Sequence, residues 1–242
     1  MLQRFNFSNS LEILETNIAD LKEYHDGILI QTFQSQLRTR FGGQLEDGGD
    51  VYLNGWNKIA DIFILNTIPY FLFPDLKRKN FEVGAPILVR LDLLRRQRIS
   101  VMHTSIHLLC ALTGNEMSAG HAGIFKSRVD FLGDAEEFNS RLNLIKARFN
   151  ECINANLSVS AIYLPGGEAS HLGRVHDFKV EKHYQALRVI NIDGIDIRAC
   201  NGTHVDRTGL LHGVGFGLAE KLGPEKFKVN LLLTSDTRTD KD

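Results

Sequence analysis

Two short segments, "HTSIH" at 103–107 and "CNGTH" at 200–204, lie more than ninety residues apart, and each sets two metal-ligand side chains four positions apart. A fold in which they act together must bring a helix face against the end of a strand. His103 and His107 fall in "DLLRRQRISVMHTSIHLLCALTG", where Leu93, Leu94, Ile99, Met102, Ile106, Leu109 and Leu112 recur at the spacing of an amphipathic helix closed by Gly114. At i and i+4 both imidazoles project from one side of that helix. Cys200 ends the pair "LRVINI"–"IDIRAC", whose Asp193-Gly194 turn is a strong hairpin signal. Gly202 then lets the chain turn back so that His204 points at the same centre. Three imidazoles and a thiolate suit zinc best among the common metals, and the two fragments together read as a split site for one Zn2+ per chain.

The same residues exclude other metal chemistry. A zinc peptidase of the H-E-x-x-H type needs a glutamate after its first histidine as general base, and here Thr104 follows His103. Closed structural sites pack their ligands into short loops such as C-x2-C. No P-loop pattern occurs, and no residue stands out as a separate general base.

The 242 residues, 43% hydrophobic and 24% charged, suit one large domain or two small ones with a real core. A net charge of -1 advertises no global basic field, so any RNA contact must use local patches. No window approaches the ~18 consecutive apolar residues of a membrane span, and the N-terminal stretch has no apolar run of signal-peptide length. Cys110, Cys152 and Cys200 are too few and too odd for a disulfide framework, which points to a reducing compartment, by default the cytoplasm.

The texture changes near residue 92. Residues 1–25 read as a weak opening segment with a polar, partly helical stretch. From about 27 to 92, short strand-like runs ("GILIQTF", "DVYLNG", "IADIFIL", "IPYFLF", "APILVRLD") alternate with glycine-rich turns, as in a small antiparallel sheet or barrel. Beyond it come the histidine helix, the strand "IFKSRVDFL", and a second long helix opened by Asp134 with Glu137 placed for a capping box. "VSAIYL", a polar loop at "PGGEASHLGR", the hairpin, and the strand "KFKVNLLLT" complete the chain. The expected fold is α+β. A β-barrel-like domain over 1–92 carries the glycine-rich loop, and a zinc-binding domain over 93–242 has an antiparallel sheet and two long helices.

"HTSIHLL", "SRVDF" and "CNGTHVDRTG", in that order and at this separation, resemble the editing domain of alanyl-tRNA synthetase and its free-standing relatives; threonyl-tRNA synthetase shares the underlying domain. Upstream, "GGQLEDGG" at 42–49 is similar to the family's G-G-Q-x-x-D-x-G pattern without its usual proline, and the resemblance runs from about 28 to about 230. It implies that His103, His107, Cys200 and His204 ligate zinc, that the barrel-like half packs against the zinc domain, and that its glycine loop approaches the site. The implied reaction hydrolyses the ester joining a wrong small amino acid, serine or similar, to the end of a tRNA such as tRNA(Ala).

Within that resemblance, Gly42, Gly43, Gln44, Asp47 and His121 are candidates to meet substrate, although Gln44 and Asp47 fit equally well as partners of backbone groups in their loop. The family's Q-x-G-S aligns with "HAGI" at 121–124, so His121 replaces Gln and Ile124 replaces Ser, which bears on which amino acid is accepted. Asn201 stands where the family has a glycine, and Asn tolerates left-handed backbone angles. Lys77, Arg78 and Lys79, and Arg95, Arg96 and Arg98, are short basic clusters able to hold acceptor-stem phosphates or to form solvated faces. Arg128 and Asp130 read as a structural charge pair. Two other readings keep the zinc: a hydrolase or transferase acting on another aminoacyl ester or amide, and a non-catalytic zinc-stabilised RNA-binding module.

Overall fold

The computed structural model describes residues 12–25, 27–40, 42–165 and 186–234. They form two compact units, one of residues 12–25, 27–40 and 45–96, the other of residues 42–44, 97–165 and 186–234. Antiparallel sheets dominate both.

The first unit is one seven-stranded sheet built from β1 (Ile13–Tyr24), β2 (Gly27–Thr32), β3 (Gly49–Tyr52), β4 (Trp56–Lys58), β5 (Asp61–Leu65), β6 (Ile68–Phe73) and β7 (Pro86–Leu91). Its order is β4-β3-β7-β1-β2-β6-β5. β4 and β5 are its two edges, so among the described residues the expected barrel is an open sheet. β1 pairs β7 along Ile13–Asn17 and β2 along Ile18–Tyr24, with a bulge between Ile18 and Asp20. The bulge interrupts the period-2 alternation and bends the strand. That interruption is why a stretch expected to be partly helical is a strand paired on both sides. Its core gathers Ile18, Ile28, Ile30, Val51, Phe71, Phe73 and Val89.

In the second unit, α1 (Leu93–Thr113, its first residues counted with the sheet) leads into β8 (Met117–His121) and β9 (Lys126–Leu132). Gly114 follows α1 with a positive φ of 70°. The second expected long helix is two helices, α2 (Ala135–Ser140) and α3 (Leu142–Asn154), parted at Arg141, whose φ and ψ of -97° and 0° leave the helical well. Ser140 Oγ donates to the Glu137 carbonyl at 2.7 Å, a local bond that competes with the helical ladder there. Asp134 caps α2 as expected, but by accepting from the Glu136 amide at 2.8 Å; Glu137 instead faces Arg141 at 3.6 Å.

β10 (Val159–Pro165), β11 (Ala186–Ile192) and β12 (Asp196–Ala199) form a three-stranded sheet, the last two joined through Gly194 at φ 69°. Past Pro165, the expected polar loop lies outside the described residues. β13 (Val214–Phe216), β14 (Glu220–Gly223) and β15 (Lys226–Leu233) complete a second sheet ordered β13-β15-β9-β8, with β14 on β15. The core between these elements includes Met102, Leu109, Phe131, Phe149, Ile190 and Phe227. Every residue of α1 from Ile99 to Cys110 is buried, including Ser100, His103, Thr104, Ser105 and His107. The polar side of the helix therefore faces the interior, where it needs partners.

Candidate metal centre

His103, His107, Cys200 and His204 come together in the second unit, their ligand atoms all within 4.8 Å of one another, and the group could hold a metal ion. Cys200 Sγ lies 3.6 Å from His103 Nε2 and 3.3 Å from His204 Nε2. Tetrahedral zinc with Zn–N of about 2.0–2.1 Å and Zn–S of about 2.3 Å sets nitrogen and sulfur about 3.5 Å apart, so the donor set fits that ion. The three histidines are buried, and Cys200 is half-exposed.

Each imidazole has a distinct neighbour on its far side. Gln44 Oε1 lies 2.8 Å from His103 Nδ1. Thr104 Oγ1 lies 3.1 Å from His204 Nδ1 and accepts from the Val205 amide at 3.2 Å. His107 Nδ1 sits 3.9 Å from Asp196 Oδ2, on β12, and Arg198 Nε stands 3.4 Å from the same oxygen. With Nδ1 of His103 and His204 turned to Gln44 and Thr104, their Nε2 atoms face Cys200 Sγ, whereas His107 Nδ1 is buried without a hydrogen bond. The Gly202 amide donates to Cys200 Sγ at 3.3 Å, which favours a thiolate there. Arg188 on β11 braces the turn, donating to the carbonyls of Cys200 at 2.5 Å and Gly202 at 3.0 Å.

Burial keeps these histidines neutral, as ligation requires. Desolvation, reinforced by the Arg188 charge, pushes His103 down to about 4. His107 falls well below its ordinary value through burial first, then the charges of His103, Arg198 and Arg188. His204 does so through burial, then His103, His107 and Arg188. The other two thiols lie in the core, and burial raises Cys110 to about 11.

Gly202 is required for space. Neither it nor Asn201 adopts a positive φ, so the left-handed turn expected at Asn201 does not form. A Cβ on Gly202 would instead overlap the His103 ring and the Gln44 carbonyl oxygen. Gly43 combines both needs, with a φ of 80° and no room beside the Gly120 carbonyl. Gly42 has a φ of 56° with open space around it. Gln44 makes an isolated parallel bridge with Ala122, one residue past His121, and the Ala122 amide donates to the Gly43 carbonyl at 2.9 Å.

The remaining candidates are placed unequally. His121 ends β8 and is exposed. Asp47 belongs to the first unit, where it is buried, accepts from the Arg38 amide at 2.6 Å and pairs with Arg96. Arg96 also donates to the Gln36 carbonyl at 2.6 Å, and Arg95 to Glu46 Oε1 at 3.2 Å. Arg98 lies over the Phe125 ring at 4.5 Å. Lys77 and Lys79 are exposed and Arg78 is half-buried, about a short 3-10 turn at Arg78–Asn80. Arg128 and Asp130 form the expected bidentate pair at 2.6 and 2.9 Å.

Thr104, Arg188, Asp196 and Arg198 were not singled out from the sequence. The last three carried a signal, since charges in the otherwise apolar hairpin "LRVINIDGIDIRA" must either face water or find a buried partner.

A family model described as "Threonyl and Alanyl tRNA synthetase second additional domain" matches residues 187–214, a span holding Cys200 and His204. An alanine–tRNA ligase of Acaryochloris marina (strain MBIC 11017) is 29% identical over 184 residues, 72% of this chain and 21% of that protein. One from Prochlorococcus marinus (strain AS9601) is 26% identical over 199 residues, covering 79% and 22%. A third, from Synechococcus sp. (strain JA-2-3B'a(2-13)), is 31% identical over 176 residues, covering 69% and 20%. The chain spans about a fifth of the length of these relatives.

Proposed function

We propose that this chain, of the alanyl-tRNA synthetase-type editing-domain family, is a trans-acting aminoacyl-tRNA deacylase. It removes a mischarged small amino acid, serine or similar, from tRNA by zinc-dependent ester hydrolysis. The observation that carries the reading is the buried three-imidazole, one-thiolate cluster, with each ring's second nitrogen turned to Gln44, Asp196 or Thr104.

A zinc ion held by His103, His107, Cys200 and His204 would supply Lewis-acid chemistry at the ester, or would hold the substrate's amine or terminal ribose while another group guides the water. The chain's own residues hold and insulate the metal. Thr104 is committed to His204 and the Val205 amide, and does not act as a base. Half-exposed Cys200 marks the side from which a substrate approaches, since the three histidines are buried. His121, exposed one residue from the Gln44–Ala122 bridge, meets the aminoacyl end. Lys77, Arg78 and Lys79, grouped about the 3-10 turn at Arg78–Asn80 with both lysines exposed, contact acceptor-stem phosphates. The free thiols suit a reducing compartment such as the cytoplasm. Among the described residues no helix is long and apolar enough to cross a membrane.

One observation favours a second reading. Four protein ligands, three of them buried, also describe a closed structural site, as in a zinc-stabilised RNA-binding module with no activity. Deacylation of a panel of mischarged tRNAs, with and without chelator, separates the two. The deacylase reading expects chelator-sensitive release of serine or a similar residue. His121→Gln with Ile124→Ser should shift the ratio among amino acids by about 1–3 kcal/mol. Neutralising Lys77, Arg78 and Lys79 should flatten the salt dependence by about 0.7–0.9 per lost contact and spare a minimal aminoacyl-adenosine. No cleavage of any member by zinc-loaded protein would favour the structural reading.

A further inference from the structure

We infer that Gln44 is a positioning residue for the metal centre, one oxygen of its side chain fixing both the tautomer of His103 and the seat of the Cys200–His204 turn. This rests on the metal-binding reading proposed above.

The argument turns on hydrogen positions. The Thr203 backbone N–H can only donate, and it lies 2.8 Å from Gln44 Oε1, so the atom facing it must be the carbonyl oxygen. The reversed amide would set two donors against each other in a site where Gln44 is 3% exposed. The same oxygen lies 2.8 Å from His103 Nδ1. Nδ1 must therefore carry the proton and donate it, which leaves the lone pair on Nε2, the nitrogen facing Cys200 Sγ.

Gln44 thus joins three segments that are remote in sequence. Its backbone is held through the Gly43–Ala122 hydrogen bond beside β8, and its side chain reaches α1 and the ligand turn. Gly202 leaves the gap through which these groups meet, since any side chain there would strike both the ring and the oxygen. Burial removes Gln44 from direct substrate contact, and its carbonyl oxygen is occupied on both sides.

The test uses the full chain. Long-range proton–nitrogen NMR of the histidine rings should find His103 protonated at Nδ1, without metal and with zinc added. A His103 protonated at Nε2 would overturn the proposal. Competition against a chromophoric chelator should then show zinc held about 10–100-fold more weakly by Gln44→Leu, the usual cost of losing such a partner. Gln44→Glu, which retains an acceptor oxygen, should stay within several-fold of the unaltered protein. Circular dichroism establishes that each variant is folded. A folded Gln44→Leu protein that binds zinc as tightly as the unaltered chain would equally overturn the assignment. If the leucine variant does not fold, the tautomer in the unaltered protein decides. If the unaltered protein takes up no zinc, the metal reading fails by itself, and the tautomer still decides the role of Gln44.

Discussion

At the scale of single residues, a ligand set and its supporting set differ in how they can be read. His103 with His107, and Cys200 with His204, are local pairs whose spacing on a helix and after a hairpin already implies convergence. Gln44 lies 59 positions from His103 and 159 from Thr203, so no local spacing announces that contact. Gly202 was expected to serve a turn, whereas a steric requirement from across the fold explains it. The same burial that would suit the histidines to hold a metal makes the cluster sensitive to acid. His103 has a pKa of about 4 in the folded chain against 6.5 when solvated, and burial lowers His107 and His204 as well. Below 6.5 the unfolded chain takes up protons that the folded centre refuses, so stability is lost as pH falls from about 6.5 towards 4 and is flat above it. His103 alone contributes about 3 kcal/mol across that window. Urea midpoints of chelator-treated protein, measured from pH 8 to pH 4, should decline only in the acid half; an unchanged midpoint there would contradict the buried, neutral assignment.

At the scale of elements, α1 is the helix its sequence implied. Its helical period is plain, the side of the helix that carries His103 and His107 was expected to meet Cys200 and His204, and Ser100 and Thr104 are buried with them. β1 and the α2–α3 pair were misread for local reasons: a bulge broke the strand's alternation, and the Ser140 back-bond and Arg141 geometry interrupted one helix. The β5–β6 hairpin turns through Asn66 and Thr67 at φ 50° and 70°. Both positive angles suit this kind of tight turn, but threonine is β-branched and poorly adapted to them. Thr67→Gly should therefore raise stability by about 0.5–1 kcal/mol, after the extra entropy of the unfolded chain is taken off. A lower urea midpoint would show that Thr67 makes compensating interactions in the turn.

At the scale of the whole molecule, the α+β class and the abundance of antiparallel strands followed from alternating runs and turn residues. Closure of the first sheet did not, because whether β4 meets β5 depends on long-range pairing that no local pattern encodes. A net charge of -1 leaves the account dependent on a local phosphate contact and on a metal centre assembled in the second unit. The most direct measurement follows hydrolysis of seryl-tRNA(Ala) as zinc is returned stepwise to chelator-treated protein, with occupancy recorded on the same samples. Activity rising in proportion to occupancy and saturating at about one zinc per chain, with Cys200→Ser and His107→Ala losing both together, is the predicted result. Hydrolysis that is independent of zinc, or absent from fully loaded and folded protein, would contradict the account.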